Sequence, residues 1–182
     1  MKLCFSTIGC PDWRFGDMIS AAKDLGYTAI EIRGIGGEIY APAMREFTED
    51  FARTKDMLER TGIRIAMLTS GAALADHSAK GKSVDEAKAY IDLAAKVGAE
   101  FVRVMSTDKP YFDGGDIDLC KKQYEEVVSY AKGSGVTPLI ETNGLFVDTA
   151  LLSRFLDEVG EGGGALWDVH HPYRFNDESI AQ

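Results

Sequence analysis

Apolar residues recur along the chain in two alternating rhythms. Segments with one apolar face at helical spacing are each followed, after a glycine, by a short run that is apolar on both sides. The first helical faces are Phe15, Met18, Ile19, Ala22 and Leu25; then Phe47, Phe51, Thr54 and Leu58; then Val84, Ala87, Ile91, Ala94 and Ala95. Two more follow, Ile117, Cys120, Tyr124, Val127, Val128 and Ala131, and Leu152, Phe155, Leu156 and Val159. Gly26, Gly62, Gly98, Gly135 and Gly160 close them, as glycine does when a helix ends in the left-handed conformation. These glycines stand 36, 36, 37 and 25 residues apart. A strand, a helix and two connections need roughly 30 residues or more, so the period is that of a βα unit.

The pattern predicts strands over residues 3–8, 29–35, 63–69, 101–106, 138–142 and 165–169, with five helices between them. Strands apolar on both faces belong in a parallel sheet covered by helices. Strict alternation with right-handed crossovers leaves an open doubly wound sheet or a (β/α)8 barrel with six strands present. No GxGxxG follows the first strand and no P-loop occurs, so the open sheet lacks its nucleotide-binding signature. Ser83 with Glu86 reads as a capping box opening the third helix. The glycine-rich GIGGEIY, residues 34–40, reads as a flexible loop.

Composition narrows the picture. A length of 182 residues predicts one domain over residues 1–182. No apolar stretch is long enough to span a bilayer, and the N-terminus runs into a strand pattern without a signal region. The expectation is a cytoplasmic protein with no membrane partner. The net charge is -9 and no Lys/Arg run occurs, which argues against nucleic acid. Three scattered cysteines provide neither a disulfide framework nor a Cys-rich zinc site.

Sites in parallel α/β folds form at the C-terminal ends of strands. Standing there are Ser6 and Thr7, Glu31 and Arg33, Thr69 and Ser70, Arg103 and Ser106, Glu141 to Asn143, and Asp168 with His170 and His171. Glu141 and Asp168 end consecutive strands, which lie about 4.8 Å apart. Two carboxylates that close share a proton, a strong donor or a cation. With an imidazole added, the set suits Mn2+, Mg2+, Co2+ or Zn2+. The competing reading has each carboxylate capping a helix or pairing with an arginine such as Arg103. If the last strand continues, Asp168 and His170 share a face. His171 reaches the site only if the chain has turned, as Pro172 favours. Trp13 reads as core or as an apolar wall over a substrate, Trp167 as core, His77 as solvated, and Arg33 as an anion clamp or a partner of Glu38.

STIGCPDW after strand one, the strand GYTAIEIRG, LIETNG at strand five and WDVHHPYRFNDES at strand six resemble the xylose isomerase-like TIM-barrel superfamily, the sugar phosphate isomerase/epimerase group. The resemblance runs the whole length. It implies an α/β (β/α)8 barrel with about six strands present, the last two lacking. It also implies a divalent metal, Mn2+ foremost, on Glu, Asp, His and Glu from strands five to eight. Glu141 and Asp168 match the first two ligands, Glu141 doubling as acid/base catalyst. His171 matches a substrate-contacting histidine, and Trp13, Arg33 and Ser70 complete the expected substrate-binding set. The implied activity is metal-dependent isomerisation or epimerisation of a small sugar, polyol or sugar phosphate through an ene-diolate. The alternatives are a truncated non-catalytic remnant or sugar-binding module, an inosose dehydratase-type lyase, and an abasic-DNA endonuclease, which the acidic balance opposes. An open strand edge invites pairing, and a homodimer is expected to complete the barrel.

Overall fold

The computed structural model describes residues 3–79 and 81–181. Among these, six strands alternate with helices: β1 (Cys4–Ser6), α1 (Phe15–Asp24), β2 (Ala29–Ile32), α2 (Phe51–Thr61), β3 (Arg64–Ala73), α3 (Lys82–Val97), β4 (Phe101–Met105), α4 (Ile117–Ala131), β5 (Thr137–Glu141), α5 (Thr149–Val159), β6 (Gly164–Leu166) and α6 (His170–Phe175). The pairs β1–β2, β2–β3 and β5–β6 run parallel. This is the parallel α/β class expected.

Two compact units divide the chain. One comprises the residues up to Ser70 with Ala89–Val102; the other comprises Gly71–Lys88 with the residues from Arg103 onward. In the first, α1 buries Phe15, Met18, Ile19 and Ala22, the stripe seen in sequence. Phe15 meets Phe47 edge to face at 6.2 Å. Phe47 lies in a short 3-10 turn ahead of α2 rather than in the helix, so its stripe begins one element early. Lys96 donates to the Phe47 carbonyl at 2.8 Å and lies 4.1 Å over the Phe51 ring, a cation–π contact that covers the turn.

Strand ends differ from the pattern wherever a side chain captures the backbone. Ser6 Oγ accepts the Ile8 amide at 3.4 Å, and the chain enters a 3-10 turn at Thr7, ending β1 early. Thr7 Oγ1 accepts the amides of Arg33 and Gly34 at 2.9 and 3.1 Å, and β2 stops at Ile32. GIGGEIY is a tight turn rather than a loose loop. Ile35 and Glu38 exchange both backbone bonds at 3.0 Å around Gly36 and Gly37, whose φ angles of 59° and 86° exclude most side chains. The expected capping box is not what holds Glu86, whose Oε1 accepts the Gly71 amide at 2.6 Å.

In the second unit, α4 buries Cys120, Tyr124, Val127 and Ala131. Tyr124, Phe155 and Phe146 stack in series at 5.7 and 4.6 Å. Burial pushes the Cys120 thiol up to about 12 and raises the Tyr124 phenol, so both stay neutral. The Tyr124 hydroxyl donates to the Pro138 carbonyl at 2.9 Å and accepts the Gly164 amide at 3.0 Å, fastening α4 to β5 and β6. A Cβ at Gly163 would come 2.5 Å from that oxygen, so the position admits only glycine. Tyr124→Phe should therefore remove a partner of the buried Pro138 carbonyl and of the part-buried Gly164 amide, costing about 1–3 kcal/mol. Urea unfolding of the variant measures it, and a loss below roughly 0.5 kcal/mol, under the net worth of one such bond, would refute the clasp.

Candidate metal centre

Glu141 is the last residue of β5, in register with Leu166 of β6. It is 7% exposed, and such a carboxylate needs a partner. Arg103 of β4 supplies it. Nε donates to Oε2 at 2.8 Å and Nη2 to the same oxygen, with both side chains about nine-tenths buried.

Thr142 fixes the next strand. Its amide donates to Leu166 O at 3.0 Å, while its hydroxyl accepts the Asp168 amide at 2.9 Å and donates to the Asp168 carbonyl at 3.1 Å. Those bonds hold the backbone just past β6 where the ladder has ended. Asp168 Oδ1 then accepts the His170 amide at 2.8 Å, a local turn that starts α6. The strand expected over 165–169 thus stops at Leu166, and the alternation that would have paired His170 with Asp168 does not apply. The chain turns, and His171 swings back instead, its Nε2 3.7 Å from Asp168 Oδ2.

Glu141, Asp168 and His171 each offer one donor atom, all within 4.8 Å of one another. Bonds of about 2.0–2.2 Å place two ligand atoms on one ion at most about 4.4 Å apart, so closure by a few tenths of an ångström seats a cation. His171 Nδ1 is buried and finds no partner among the described residues. Two carboxylate oxygens and an imidazole with an orphaned nitrogen fit a divalent cation. Arg103 leaves room for it, since an ionised carboxylate has about four acceptor positions. Pairing with Arg103 and membership of the cluster, weighed as alternatives from sequence, occur together.

α6 is held from behind. Glu178 reaches the first turn of α5, accepting the Thr149 amide at 2.9 Å and its hydroxyl at 2.7 Å, and Asn176 adds a third bond at 2.9 Å. Burial opposes the charge on Glu178, but these bonds outweigh it and hold the carboxyl below the usual glutamate range.

The other expected site residues lie in the first unit. Arg33 Nη1 donates to the Ser70 carbonyl at 3.3 Å, so these two stand together at the ends of β2 and β3. The Glu38 carboxylate accepts the Ile39 and Tyr40 amides, not Arg33. Glu31 is bonded by the Thr69 hydroxyl. Trp13 is 46% exposed and Trp167 54%, so neither is core. In the second unit, His77 is exposed yet bonded to Asp116 Oδ2 at 2.8 Å. Sequence reasoning placed Thr142 among the polar strand-end residues but gave it no role, whereas its hydroxyl is what holds the Asp168 backbone.

A family model described as the xylose isomerase-like TIM barrel matches residues 19–182. The chain belongs to that family. Among solved structures it is similar to the probable 3-DHS dehydratase AsbF from Bacillus anthracis, with TM-score 0.77, 18% identity, 94% of this chain and 64% of that one covered. A xylose isomerase-like TIM barrel protein from Mycobacterium smegmatis in complex with magnesium gives 0.76 at 14% identity, covering 98% and 68%. D-allulose 3-epimerase from Methylomonas sp. in complex with D-allulose gives 0.75 at 18%, covering 96% and 64%. The chain thus spans 64% of AsbF's length, and at these identities the likeness is one of fold. No curated protein matches the chain in sequence.

Arg103→Met should strand the Glu141 carboxylate in the interior and cost about 3–5 kcal/mol, while adding Glu141→Leu should recover most of it. Chemical denaturation of the single and double variants checks this; a double variant as unstable as the single one would contradict the pairing. Glu178 gives a pH signature. Its carboxyl titrates lower when folded than when unfolded, so its contribution is complete above about pH 4.5 and lost as acid protonates the folded state. The stability gap between wild type and Glu178→Gln should narrow below that pH, and a gap independent of pH would exclude the ionised clip.

Proposed function

We propose that the chain is a metal-dependent isomerase or epimerase of a small sugar, polyol or sugar phosphate. The convergence of Glu141, Asp168 and His171 within 4.8 Å carries the reading. These three residues would hold the ion, Mn2+ first among Mg2+, Co2+ and Zn2+. A bound divalent cation supplies polarisation of a carbonyl and its neighbouring hydroxyl. Arg103 engages Glu141 Oε2, so Oε1 is the oxygen that takes or returns the proton of the adjacent carbon. Asp168, bound through its backbone to Thr142, keeps its carboxylate in place while that proton moves. His171, expected as a substrate contact, would instead give the ion its nitrogen ligand.

Membership of the family supports a sugar-modifying enzyme, as do the D-allulose and magnesium named for two similar structures. A second reading, loss of water from a β-hydroxy carbonyl compound by the same groups, is favoured by the likeness to a probable dehydratase. We place the protein in the cytoplasm as a homodimer, with neither nucleic acid nor membrane as partner. No described helix is long and apolar enough to cross a membrane.

The test is calorimetric titration with Mn2+. Wild type should bind one ion per chain, and Asp168→Asn and Glu141→Gln should each weaken it by about tenfold or more, at least the loss seen when a residue that merely orients a ligand is changed. A wild-type protein that binds none of Mn2+, Mg2+, Co2+ and Zn2+ would end the proposal.

A further inference from the structure

We propose that Ser106 is a positioning residue of the metal centre. It acts through backbone, holding the turn from which Thr142 reaches over to fix Asp168. The inference rests on the metal-site reading above and names what keeps the donors together.

Ser106 directly follows β4 and is fully buried. A hydroxyl taken out of water needs partners, and this one finds two on the turn after β5. Oγ donates to the Asn143 carbonyl at 2.8 Å and accepts the Leu145 amide at 3.0 Å. The neighbouring Thr107 carbonyl accepts Nδ2 of the buried Asn143 at 3.0 Å. The end of β4 thus closes on residues 143–145 with three bonds. Gly144 sits inside that grip at φ 56°, and a Cβ there would run into the Ser106 and Thr107 hydroxyls. Only glycine lets the two segments come so near.

Thr142 lies between two holds that come from β4. On one side Arg103 grips the Glu141 carboxylate, and on the other Ser106 grips the Asn143 carbonyl. The Asn143 amide also donates to the Glu141 carbonyl at 2.8 Å, which closes a three-residue turn with Thr142 at its centre. With the residues before and after it held, Thr142 has its backbone fixed and its side chain aimed. That side chain holds the Asp168 amide and carbonyl at 2.9 and 3.1 Å. A continuous path of hydrogen bonds and one turn therefore joins Ser106 to a proposed metal donor, each step at a measured distance.

Asp168 is the donor that needs such help. β6 has ended at Leu166, so the strand ladder no longer places it. The donor atoms lie within 4.8 Å of one another, and a few tenths of an ångström separate that spread from one an ion can span. A turn that loosens at Asn143 frees Thr142 to move, and Asp168 moves with it.

Mn2+ titration and amide hydrogen exchange test this. Ser106→Ala should weaken Mn2+ binding about tenfold, as the loss of a residue that orients a ligand does. Thr142→Val should do the same, and the double variant should be no weaker than the worse single one, because both act through one hold on Asp168. Losses that add would mean that Ser106 acts by another route, and Mn2+ affinity unchanged in Ser106→Ala would make it a core hydroxyl only; either overturns the proposal. In the metal-free chain the Asp168 amide should exchange about tenfold faster in Ser106→Ala, as the loss of a hydrogen bond's worth of protection gives, while amides within α4 keep their rates. An unchanged Asp168 rate, or a rise shared by α4, overturns it too. If wild type binds no metal, the sugar-isomerase reading falls, and the exchange rates alone decide whether Ser106 places Asp168. Should Ser106→Ala fail to fold, wild type decides: the Leu145 and Asp168 amides should open together with equal protection, and an Asp168 amide that opens without Leu145 breaks the link.

Discussion

Glu141 is a carboxylate taken almost entirely out of water, and the Arg103 fork is what makes that tolerable. Left alone, a buried anion costs several kcal/mol even after relaxation. With a guanidinium on Oε2 the carboxylate has the charged partner that its burial at the end of β5 requires. The rest of the centre depends on this. The pair also sets direction, since the Nε and Nη2 bonds both fall on Oε2 and distinguish the two carboxylate oxygens.

The second constraint is the turn after β6. α6 has only six residues, far fewer than a helix needs to persist on its own propensity. It exists because its surroundings hold it. The Asp168 carboxylate starts the turn, Pro172 is buried, and Glu178 bonds the following segment to α5. His171 is thus placed by tertiary contacts. The same contacts explain why Phe175, a full turn on, faces the same way as His171.

What was legible in the sequence follows from which interactions decide each feature. Helical stripes and closing glycines are set by burial and backbone conformation, both written locally, and all five predicted helices appear. Glu141 and Asp168 were legible because carboxylates at apolar strand ends demand an explanation. Strand ends were not, since Thr7 and Thr142 stop or extend them by capturing amides from elements many residues away. The Arg103 partnership was visible only as an alternative, because a sequence cannot say that one carboxylate serves two neighbours. Trp13 drew notice as a large aromatic near a strand end.

The charges of the centre lead one step further. Within it stand two carboxylates, one guanidinium and one imidazole, which is uncharged when it acts as a ligand. One negative charge is left unbalanced among donor atoms within 4.8 Å of one another. Like charges so close are unfavourable, and more so where water is partly excluded. A proton would relieve the repulsion but would remove a ligand. A divalent cation relieves it and keeps both carboxylates and the imidazole as ligands. Replacing either carboxylate by its amide removes that excess charge, so it should weaken cation binding beyond the loss of one ligand bond.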